Sequence, residues 1–253
     1  MAVKNARKIL ALIRYRKARE RERRFVVEGI RLVEEALQSD APVEQLIFDR
    51  ETLEADQRLQ QFHREATRRE ITVQQTDRRA IRNMGENQNP EGVLGVVREL
   101  AHSRERALDA NGPLILFDRL RDPNNLGLVL RTAEAAGAAA VFLSRGSVEL
   151  YNSKVVRASR GSIFRLPVFR NEDLPALIED LRNLGVHIFC THTRGTPYYE
   201  FKQLARVAFL FGNETSGVDP DLRSISIPMT EGANSLNVAV AAGVLLFRQR
   251  EPA

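Results

Sequence analysis

Hydrophobic and polar positions follow regular periods along the first hundred residues. Apolar side chains recur every three to four positions in three stretches, which predicts amphipathic helices at residues 4–24, 30–41 and 55–70. Short β-branched runs between and after them predict strands at residues 25–27, 43–48, 71–73 and 92–97. This pattern predicts a small α/β domain at the N-terminal end of the chain.

A second pattern of strands and helices begins after residue 112. Strand-like runs at 114–118, 140–144, 186–191, 207–211 and 225–227 are separated by helical stretches. Strands that alternate with helices predict a mostly parallel sheet covered on both faces. The last helix, residues 235–248, is apolar on nearly every side, so we expect it to pack against its own sheet and against a second subunit.

Between the two patterns, residues 101–112 are polar, and their apolar side chains do not recur at a regular spacing. The segment ends in Asn111-Gly-Pro113, a combination typical of turns and loops. We therefore predict an N-terminal domain at residues 1–100, a linker at 101–112 and a second domain at 113–253.

Composition excludes several classes of protein. The 253 residues are 43% hydrophobic, and no run approaches the ~20 apolar residues that span a bilayer. The first residues lack a secretory signal pattern, so we expect a cytoplasmic protein without a membrane partner. Cys190 is the single cysteine, which excludes an intramolecular disulfide, and its apolar surroundings predict strand packing. The four histidines share no metal-ligand spacing, so no metal is expected.

Positive charge is concentrated at the start of the chain. Residues 1–24 contain ten Lys or Arg against two Glu, a net charge of +8 in a chain whose net charge is +5. Of the 38 basic residues 33 are Arg, whose planar fork binds phosphate in a bidentate way. This favours a nucleic-acid partner, although a solvated helix face or an anchor to acidic lipid would show the same charge. The candidate RNA-binding residues are Arg7, Arg14, Arg16, Lys17, Lys154 and Arg157.

Three loops that follow predicted strands could hold a ligand, because ligands of parallel sheets bind beyond the carboxyl ends of the strands. They are residues 118–127, 209–217 and 225–237. The first and third also have an ordinary structural explanation. Pro123 with Asn124 or Asn125 could start a helix on which Arg131 is solvated, and Asn234 or Ser235 could cap another. Asn237, however, is a polar residue on an apolar helix and needs hydrogen-bond partners there.

Known nucleotide and hydrolase motifs are absent from the sequence. Gly212 and Gly217 have the outer spacing of a P-loop, but Val218 stands where its lysine should be. No strand–helix junction carries Gly-x-Gly-x-x-Gly, and no Gly-x-Ser-x-Gly elbow is present. ATP binding by a P-loop is therefore excluded, while dinucleotide binding and serine hydrolysis lack their usual motifs.

The three loops together resemble the motifs of the SpoU/TrmH family of SPOUT RNA 2′-O-methyltransferases. The motifs are Arg121-Asp-Pro-Asn-Asn-Leu-Gly127 with Arg131-Thr-Ala133, then Phe211-Gly-Asn-Glu214 with Gly217, then Ile227-Pro-Met229 with Ser235-Leu-Asn-Val238. Residues 152–161 and 165–167 resemble the family between these motifs, so the resemblance spans residues 113–250. Phe25-Val-Val-Glu-Gly29 and Asn89-Pro-Glu-Gly92-Val-Leu-Gly95 resemble the small substrate-binding domain of many members.

The resemblance implies a fold and a cofactor that the hydrophobic pattern does not predict. Members tie the C-terminal segment into a trefoil knot, whereas the pattern alone would predict an unknotted sheet. The knot loops of the family bind S-adenosylmethionine, at positions that correspond here to Gly212, Ile227 and Leu236. Asn125, Arg131, Glu214 and Asn237 correspond to the family's active site.

The expected activity is methyl transfer from S-adenosylmethionine to a ribose 2′-hydroxyl of structured RNA, most plausibly large-subunit (23S) ribosomal RNA, by a homodimer without a metal. A transfer-RNA methyltransferase and a non-catalytic RNA-binding protein of the same fold are the alternatives. Because the pKa of Arg exceeds ~12, we favour Arg131 as a stabiliser of the developing alkoxide, while the role of a base stays open.

Overall fold

A computed structural model describes residues 5–39, 41–212 and 222–250. The α-helices are α1 (Ala6–Arg14), α2 (Arg16–Glu22), α3 (Ile30–Gln38), α4 (Arg50–Ala55), α5 (Gln57–Arg68), α6 (Arg78–Met84), α7 (Arg104–Asp109), α8 (Pro123–Ala135), α9 (Ser153–Ser159), α10 (Leu174–Asn183) and α11 (Val238–Arg250). The strands are β1 (Arg24–Glu28), β2 (Val43–Asp49), β3 (Thr72–Thr76), β4 (Val93–Arg98), β5 (Leu114–Phe117), β6 (Ala140–Ser144), β7 (Val168–Glu172), β8 (His187–Pro197), β9 (Val207–Phe211) and β10 (Arg223–Ser226). Short 3-10 turns lie at Ser162–Phe164 and Tyr198–Glu200.

The chain forms two compact units, of which the first contains residues 1–101 together with residues 151–164. Its four-stranded sheet has the order β1-β4-β2-β3, with antiparallel pairs on both sides of β4 and a parallel pair between β2 and β3. Helices α1 and α6 share one apolar cluster on this sheet. The cluster consists of Ile9, Leu12, Ile13, Val26, Ile47, Ile81, Met84, Leu94 and Val96.

The single helix predicted over residues 4–24 is wrong, because the chain turns at Tyr15. Its backbone is extended there, with φ −120° and ψ 120°, and separates α1 from α2. Arg19 is 4% exposed, and its Nη1 donates hydrogen bonds to the carbonyl oxygens of Leu12 (2.7 Å) and Ile13 (2.8 Å). The last carbonyls of a helix have no partner within the helix, so this buried arginine stabilises the end of α1. The predicted helix at 55–70 is confirmed as α5, which Asp56 caps, and the short helix α4 before it was missed in the sequence.

The two motifs assigned to the substrate-binding domain hold each other in place. The Glu28 carboxylate accepts hydrogen bonds from the backbone N–H groups of Glu86 (2.9 Å) and Asn87 (3.2 Å). In return, the Glu91 carboxylate accepts one from the N–H of Ile30 (2.6 Å), at the start of α3. These glutamates therefore order the loops around β1 and β4.

Residues 151–164 pack with the first unit although they follow it by fifty residues in sequence. The Tyr151 ring stacks on that of Phe25, with centroids 4.4 Å apart, and its hydroxyl accepts a hydrogen bond from the N–H of Leu100 (2.9 Å). The short helices α6 and α9 were missed from the sequence because one or two turns give too few positions for a period. Residues 101–112 contain α7, and the linear domain division stays a prediction.

The second unit is built on a six-stranded sheet of order β10-β8-β9-β5-β6-β7. All its strand pairs are parallel, which confirms the predicted α/β architecture. Strands β5, β6 and β9 are buried along their whole length, as expected for a sheet covered by helices on both faces. Strand β7 was missed in the sequence, because its second half is partly polar.

Helix α11 packs against α8 but is not covered on all sides by its own chain. Ala239, Ala242 and Leu246 are buried, whereas Val240 is 54% and Phe247 is 47% exposed. Gly243 allows the two helices to approach, since a Cβ there would lie 3.3 Å from Thr132 Cγ2. The trefoil knot stays a prediction, because the chain path runs through residues 213–221, which lie outside the described part.

Candidate functional site

The three predicted loops begin at one edge of the second sheet. Strands β5, β9 and β10 are members of the same parallel sheet, so their carboxyl ends point the same way. Phe117 of β5 pairs with Phe211 of β9, and the N–H of Asp118 donates to the carbonyl oxygen of Phe211 at 2.8 Å. The first two loops therefore start side by side, as the sequence predicts.

A cavity of about 500 Å³ opens at this edge. Its volume lies in the range typical of small-molecule sites, roughly 300–1,000 Å³. All three residues predicted to bind a cofactor, Gly212, Ile227 and Leu236, line it. The other lining residues are Thr191, His192, Thr193, Phe211, Ile225, Met229, Ser235, Val238, Ala241 and Leu245.

The lining is mostly apolar, with hydroxyl and backbone groups between the apolar side chains. Among its described residues only His192 is titratable, and the backbone N–H of Arg194 donates to its Nδ1 at 3.0 Å. Such a cavity suits a ligand with an aromatic ring system and neutral polar groups better than a polyphosphate, which needs cationic or clustered N–H donors.

Gly212 is required by a close approach between two strand ends. A Cβ at this position would lie 2.9 Å from the Cβ of Asp118, a distance that real side chains do not adopt. The absence of a side chain therefore keeps the ends of β5 and β9 together and leaves the backbone of Gly212 at the cavity wall.

Sequence reasoning missed a polar network around Asp118. The Asp118 carboxylate accepts from Arg119 Nε (3.2 Å) and Nη2 (3.1 Å), and from the Ser144 hydroxyl (3.3 Å). The Ser144 hydroxyl in turn accepts from the N–H of Arg119 at 2.7 Å. The only signal in the sequence was an Asp-Arg pair directly after a strand. This network fixes the chain between β5 and the first loop.

The structure brings together two of the predicted active-site residues, Asn125 and Asn237. Asn237 Nδ2 donates to Asn125 Oδ1 at 2.8 Å, across 112 positions of sequence. Asn237 Oδ1 also accepts from the N–H of Ala239 at 2.9 Å, so this residue caps α11. The need of Asn237 for hydrogen bonds is thus met at an exposed helix end rather than inside a buried helix.

The predicted start of α8 at Pro123 is confirmed, whereas the cap predicted for α11 is wrong. Asp122, rather than Asn124 or Asn125, caps α8 by accepting from the N–H groups of those two residues at 2.7 and 3.0 Å. Asn237 takes the place predicted for Asn234 or Ser235, because α11 begins three residues later than the hydrophobic pattern suggests.

Arg131 forms no hydrogen bond with this pair in the described part of the chain. Arg131 lies on α8 and is exposed, and its side chain has no hydrogen bond or ion pair with another residue of the described ranges. Glu214 lies within residues 213–221, outside the described residues. The roles of all four residues therefore stay a prediction.

The predicted RNA-binding residues are all exposed and all belong to the first unit. Arg16 forms an ion pair with Glu20 at 2.6 Å, and Arg157 Nη1 donates to Asn87 Oδ1 at 3.3 Å. Arg7, Arg14, Lys17 and Lys154 form no ion pair with any residue of the described part, so their charges are available to a ligand.

Cys190 lies in β8, next to the cavity-lining Thr191, and packs partly buried against the core, as predicted. Burial raises the pKa of its thiol. In the part of the chain that the structure describes, no helix is long and apolar enough to cross a membrane, and no three His, Cys, Asp or Glu side chains cluster as metal ligands.

The fold and the site define a class of protein: a parallel α/β domain with a ligand cavity at its carboxyl edge, accompanied by a smaller α/β unit. The profile of the SpoU rRNA Methylase family matches residues 113–247, and that of the MRM3-like substrate binding domain matches residues 3–95. The chain therefore belongs to the SpoU rRNA methylase family.

Relatives match the chain over nearly its whole length. It is 34% identical to the 23S rRNA (guanosine(2553)-2′-O)-methyltransferase RlmP of Bacillus subtilis, over 93% of this chain and 92% of the relative. It is 32% identical to a 23S rRNA (uridine(2479)-2′-O)-methyltransferase of Streptomyces viridochromogenes, over 95% and 88%. The AdoMet-bound rRNA methyltransferase of Sinorhizobium meliloti has a TM-score of 0.85 at 28% identity and covers 99% of this chain and 96% of its own.

Proposed function

We propose that this protein transfers a methyl group from S-adenosylmethionine to a ribose 2′-hydroxyl of large-subunit (23S) ribosomal RNA. The observation that carries the proposal is a cavity lined by the second and third family motifs, with Gly212, Ile227 and Leu236 in its wall, together with the hydrogen bond from Asn237 of the third motif to Asn125 of the first. Relatives named as 23S rRNA 2′-O-methyltransferases, and a neighbouring structure with AdoMet bound, support the same activity.

The cavity fits S-adenosylmethionine by size and chemistry. An adenosine group needs an apolar slot with backbone donors and acceptors, which the residues beside Gly212 and Ile227 provide. When bound, the cofactor supplies an electrophilic methyl group on a sulfonium. Thr191, Thr193 and Ser235 offer hydroxyls for the polar groups of the ligand.

The residues of the chain have two tasks, to position the ribose and to stabilise charge on its 2′-oxygen. Holding the 2′-oxygen in line with the methyl group lowers the free-energy barrier of the transfer. Binding has then already removed the freedom of motion that the two groups would otherwise lose in the transition state. In this proposal the Asn125–Asn237 pair, which is joined by a hydrogen bond, holds polar groups of the ribose. Arg131 carries a permanent positive charge, which stabilises a developing alkoxide better than it could accept a proton. Glu214 orients Arg131 in this proposal.

Ribosomal RNA is favoured over transfer RNA by the first unit. Its match to a substrate-binding domain supports contact with an extended, folded RNA. So do its exposed Arg7, Arg14, Lys17 and Lys154, which form no ion pair among the described residues. We expect the enzyme in the cytoplasm, where it would meet this substrate, and as a homodimer that needs no metal.

Calorimetry and a transfer assay test the proposal. The full chain should bind S-adenosylmethionine and its demethylated product in the presence of a metal chelator, and should not bind ATP or NAD in their place. With labelled cofactor it should methylate a 23S rRNA transcript, and mapping of the product should show one modified ribose. Transfer RNA serves as the competing substrate.

Three outcomes would contradict the proposal. Binding of ATP or NAD instead of S-adenosylmethionine would overturn the cofactor. Methylation confined to transfer RNA would support the alternative substrate. Cofactor-free RNA binding without methyl transfer would favour a non-catalytic protein of the same fold.

A further inference from the structure

The turn between α1 and α2 exposes an aromatic ring among basic side chains. Tyr15 is 61% exposed, the largest value for a large hydrophobic side chain in the described ranges. Its neighbours in sequence, Arg14, Arg16 and Lys17, are exposed as well. No ring or cation contact to Tyr15 is found within the part of the chain that the structure describes, so its ring faces solvent.

The exposure of Tyr15 is imposed by its surroundings. On one side Ile9, Leu12 and Ile13 anchor α1 in the core of the first unit. On the other side Arg19 of α2 is buried and holds the carbonyl oxygens of Leu12 and Ile13. These contacts fix the extended backbone at Tyr15, so the ring lies on a turn that is held at both ends.

Several basic side chains elsewhere in the first unit form ion pairs with glutamates. On α5, Arg58 is paired with Glu34 (2.7 Å), and Arg68 and Arg69 are both paired with Glu65 (2.6 and 2.5 Å). Arg14 and Lys17 form no such pair within the described ranges. Helix α6 packs beside α1 in the same apolar cluster and adds three exposed arginines that are also unpaired among the described residues. They are Arg78, Arg79 and Arg82.

We infer that Tyr15 stacks on an unpaired base of the RNA substrate, while Arg14, Lys17 and the α6 arginines bind the adjoining phosphates. An exposed aromatic face bordered by cations is the combination that single-stranded nucleic acid selects, because bases stack on the ring and phosphates meet the charges. A duplex offers the phosphates but no free base. This inference rests on the proposed action on RNA and adds that the bound RNA contains an unpaired nucleotide.

Equilibrium binding of two RNA probes tests the inference. One is a hairpin with a single-stranded loop, and the other is a fully paired duplex with the same number of phosphates. Tyr15→Ala should weaken binding of the hairpin by about 5- to 100-fold, the range that loss of one stacked base allows, and should leave duplex binding unchanged. Tyr15→Phe keeps the ring and should bind both probes as the wild type does. Tyr199→Ala removes a similarly exposed tyrosine from the second unit and is the matched control.

Salt dependence separates stacking from charge. Tyr15→Ala should leave the slope of log affinity against log salt unchanged, because no phosphate contact is lost. Arg14→Gln and Lys17→Gln should each reduce the slope by about 0.7, the value for one phosphate of a single strand. Arg58→Gln, whose charge is already paired, should change the slope least.

A spectroscopic probe reports on the ring itself. The sequence contains no tryptophan, so Tyr15→Trp introduces a single fluorophore at the turn. Its emission should be quenched by the hairpin and unchanged by the duplex, whereas Tyr199→Trp should respond to neither.

Wild-type affinity of Tyr15→Ala for the hairpin, or unquenched Tyr15→Trp at saturating hairpin, would overturn the inference. A changed oligomeric state of Tyr15→Ala with unchanged RNA affinity would instead assign the ring to a protein contact. In each of these cases methyl transfer by the wild type to 23S rRNA would leave the proposed function standing. Absence of that transfer would remove the proposed function itself.

Discussion

Individual residues at the carboxyl edge of the second sheet have a structural task besides the chemical one proposed for them. Gly212 permits the contact of β5 with β9 and at the same time forms part of the cavity wall. Asn237 caps α11 and binds Asn125 through its other amide atom. Arg131 differs from both, because it is exposed and forms no hydrogen bond or ion pair within the described ranges. Its rate effect therefore distinguishes a catalytic arginine from a solvated one.

Arg131→Ala should depress turnover far more than it weakens cofactor or RNA binding. If the guanidinium stabilises charge that develops only in the transition state, the rate should fall by roughly 10²–10³. Arg131→Lys should recover part of the rate, because a cation remains although the planar fork is lost. Single-turnover methyl transfer, with affinities measured in parallel, checks this. An unchanged rate for Arg131→Ala would exclude it from the active site.

Gly212→Ala should weaken binding of S-adenosylmethionine about tenfold or more, since overpacking costs roughly 1–3 kcal/mol and the wall of the cavity must shift. Calorimetric titration measures the effect. Asp118→Gly removes the atom that the new Cβ would meet, so Gly212→Ala should have a smaller effect in that background. Equal effects in both backgrounds would show that the contact with Asp118 is not the cause.

At the scale of elements, α1 and α2 are part of the first unit rather than a basic extension. Ile9, Leu12 and Ile13 are buried on the sheet, so deletion of residues 1–24 would remove core side chains together with the charges. Charge-neutral substitutions at the exposed arginines are therefore the cleaner way to test RNA binding. The relative position of the two helices depends on Arg19 of α2, because its side chain donates hydrogen bonds to carbonyl oxygens of α1.

Arg19→Met should destabilise the first unit by about 1–3 kcal/mol, because two helix-terminal carbonyls lose their donor in a buried place. Methionine retains much of the apolar stem, so the loss reports on the guanidinium. Urea unfolding followed by circular dichroism measures the change. Arg21→Met, at an exposed position of the same helix, is the control and should stay within about 0.5 kcal/mol of the wild type.

For the whole molecule, the exposed apolar side chains on α8 and α11 point to a second copy of the chain. Leu128, Val240 and Phe247 are 43–54% exposed on two helices that pack against each other. Soluble monomers rarely leave a large contiguous apolar patch open. A two-fold dimer would cover the same residues on both copies.

Light scattering at micromolar concentration should therefore give twice the mass of one chain. Phe247→Glu should shift the equilibrium toward monomer by at least a hundredfold in Kd, because each two-fold interface contains the substitution twice and each buried aromatic contributes about 1.5–3 kcal/mol. Leu184→Glu alters a similarly exposed residue at the end of α10 and should leave the dimer intact. A wild-type mass of one chain would contradict the proposed homodimer.

The sequence was sufficient to predict the alternation of strands and helices, because burial of one face or of a whole strand imposes a period on neighbouring residues. It also placed β5, β6 and β9 within a residue of their observed ends, since continuous apolar runs mark strands that are buried on both faces. The motifs at Gly212, Ile227 and Leu236 were recognisable because they keep the residue types of the family, which the proposed backbone contacts with a ligand would restrict locally.

The contacts between residues that are distant in sequence became visible only in the tertiary structure. The pairing of Asn125 with Asn237, the network around Asp118 and the packing of Tyr151 on Phe25 join positions that no local period relates. The break at Tyr15 was hidden for the same reason: the local pattern is helical throughout, and the turn depends on a buried arginine that reaches back to the preceding helix. Local residue preferences determine which segments form helices and strands. The ends of these elements and the junctions between them depend on buried polar groups, because such groups must find hydrogen-bond partners wherever the fold provides them.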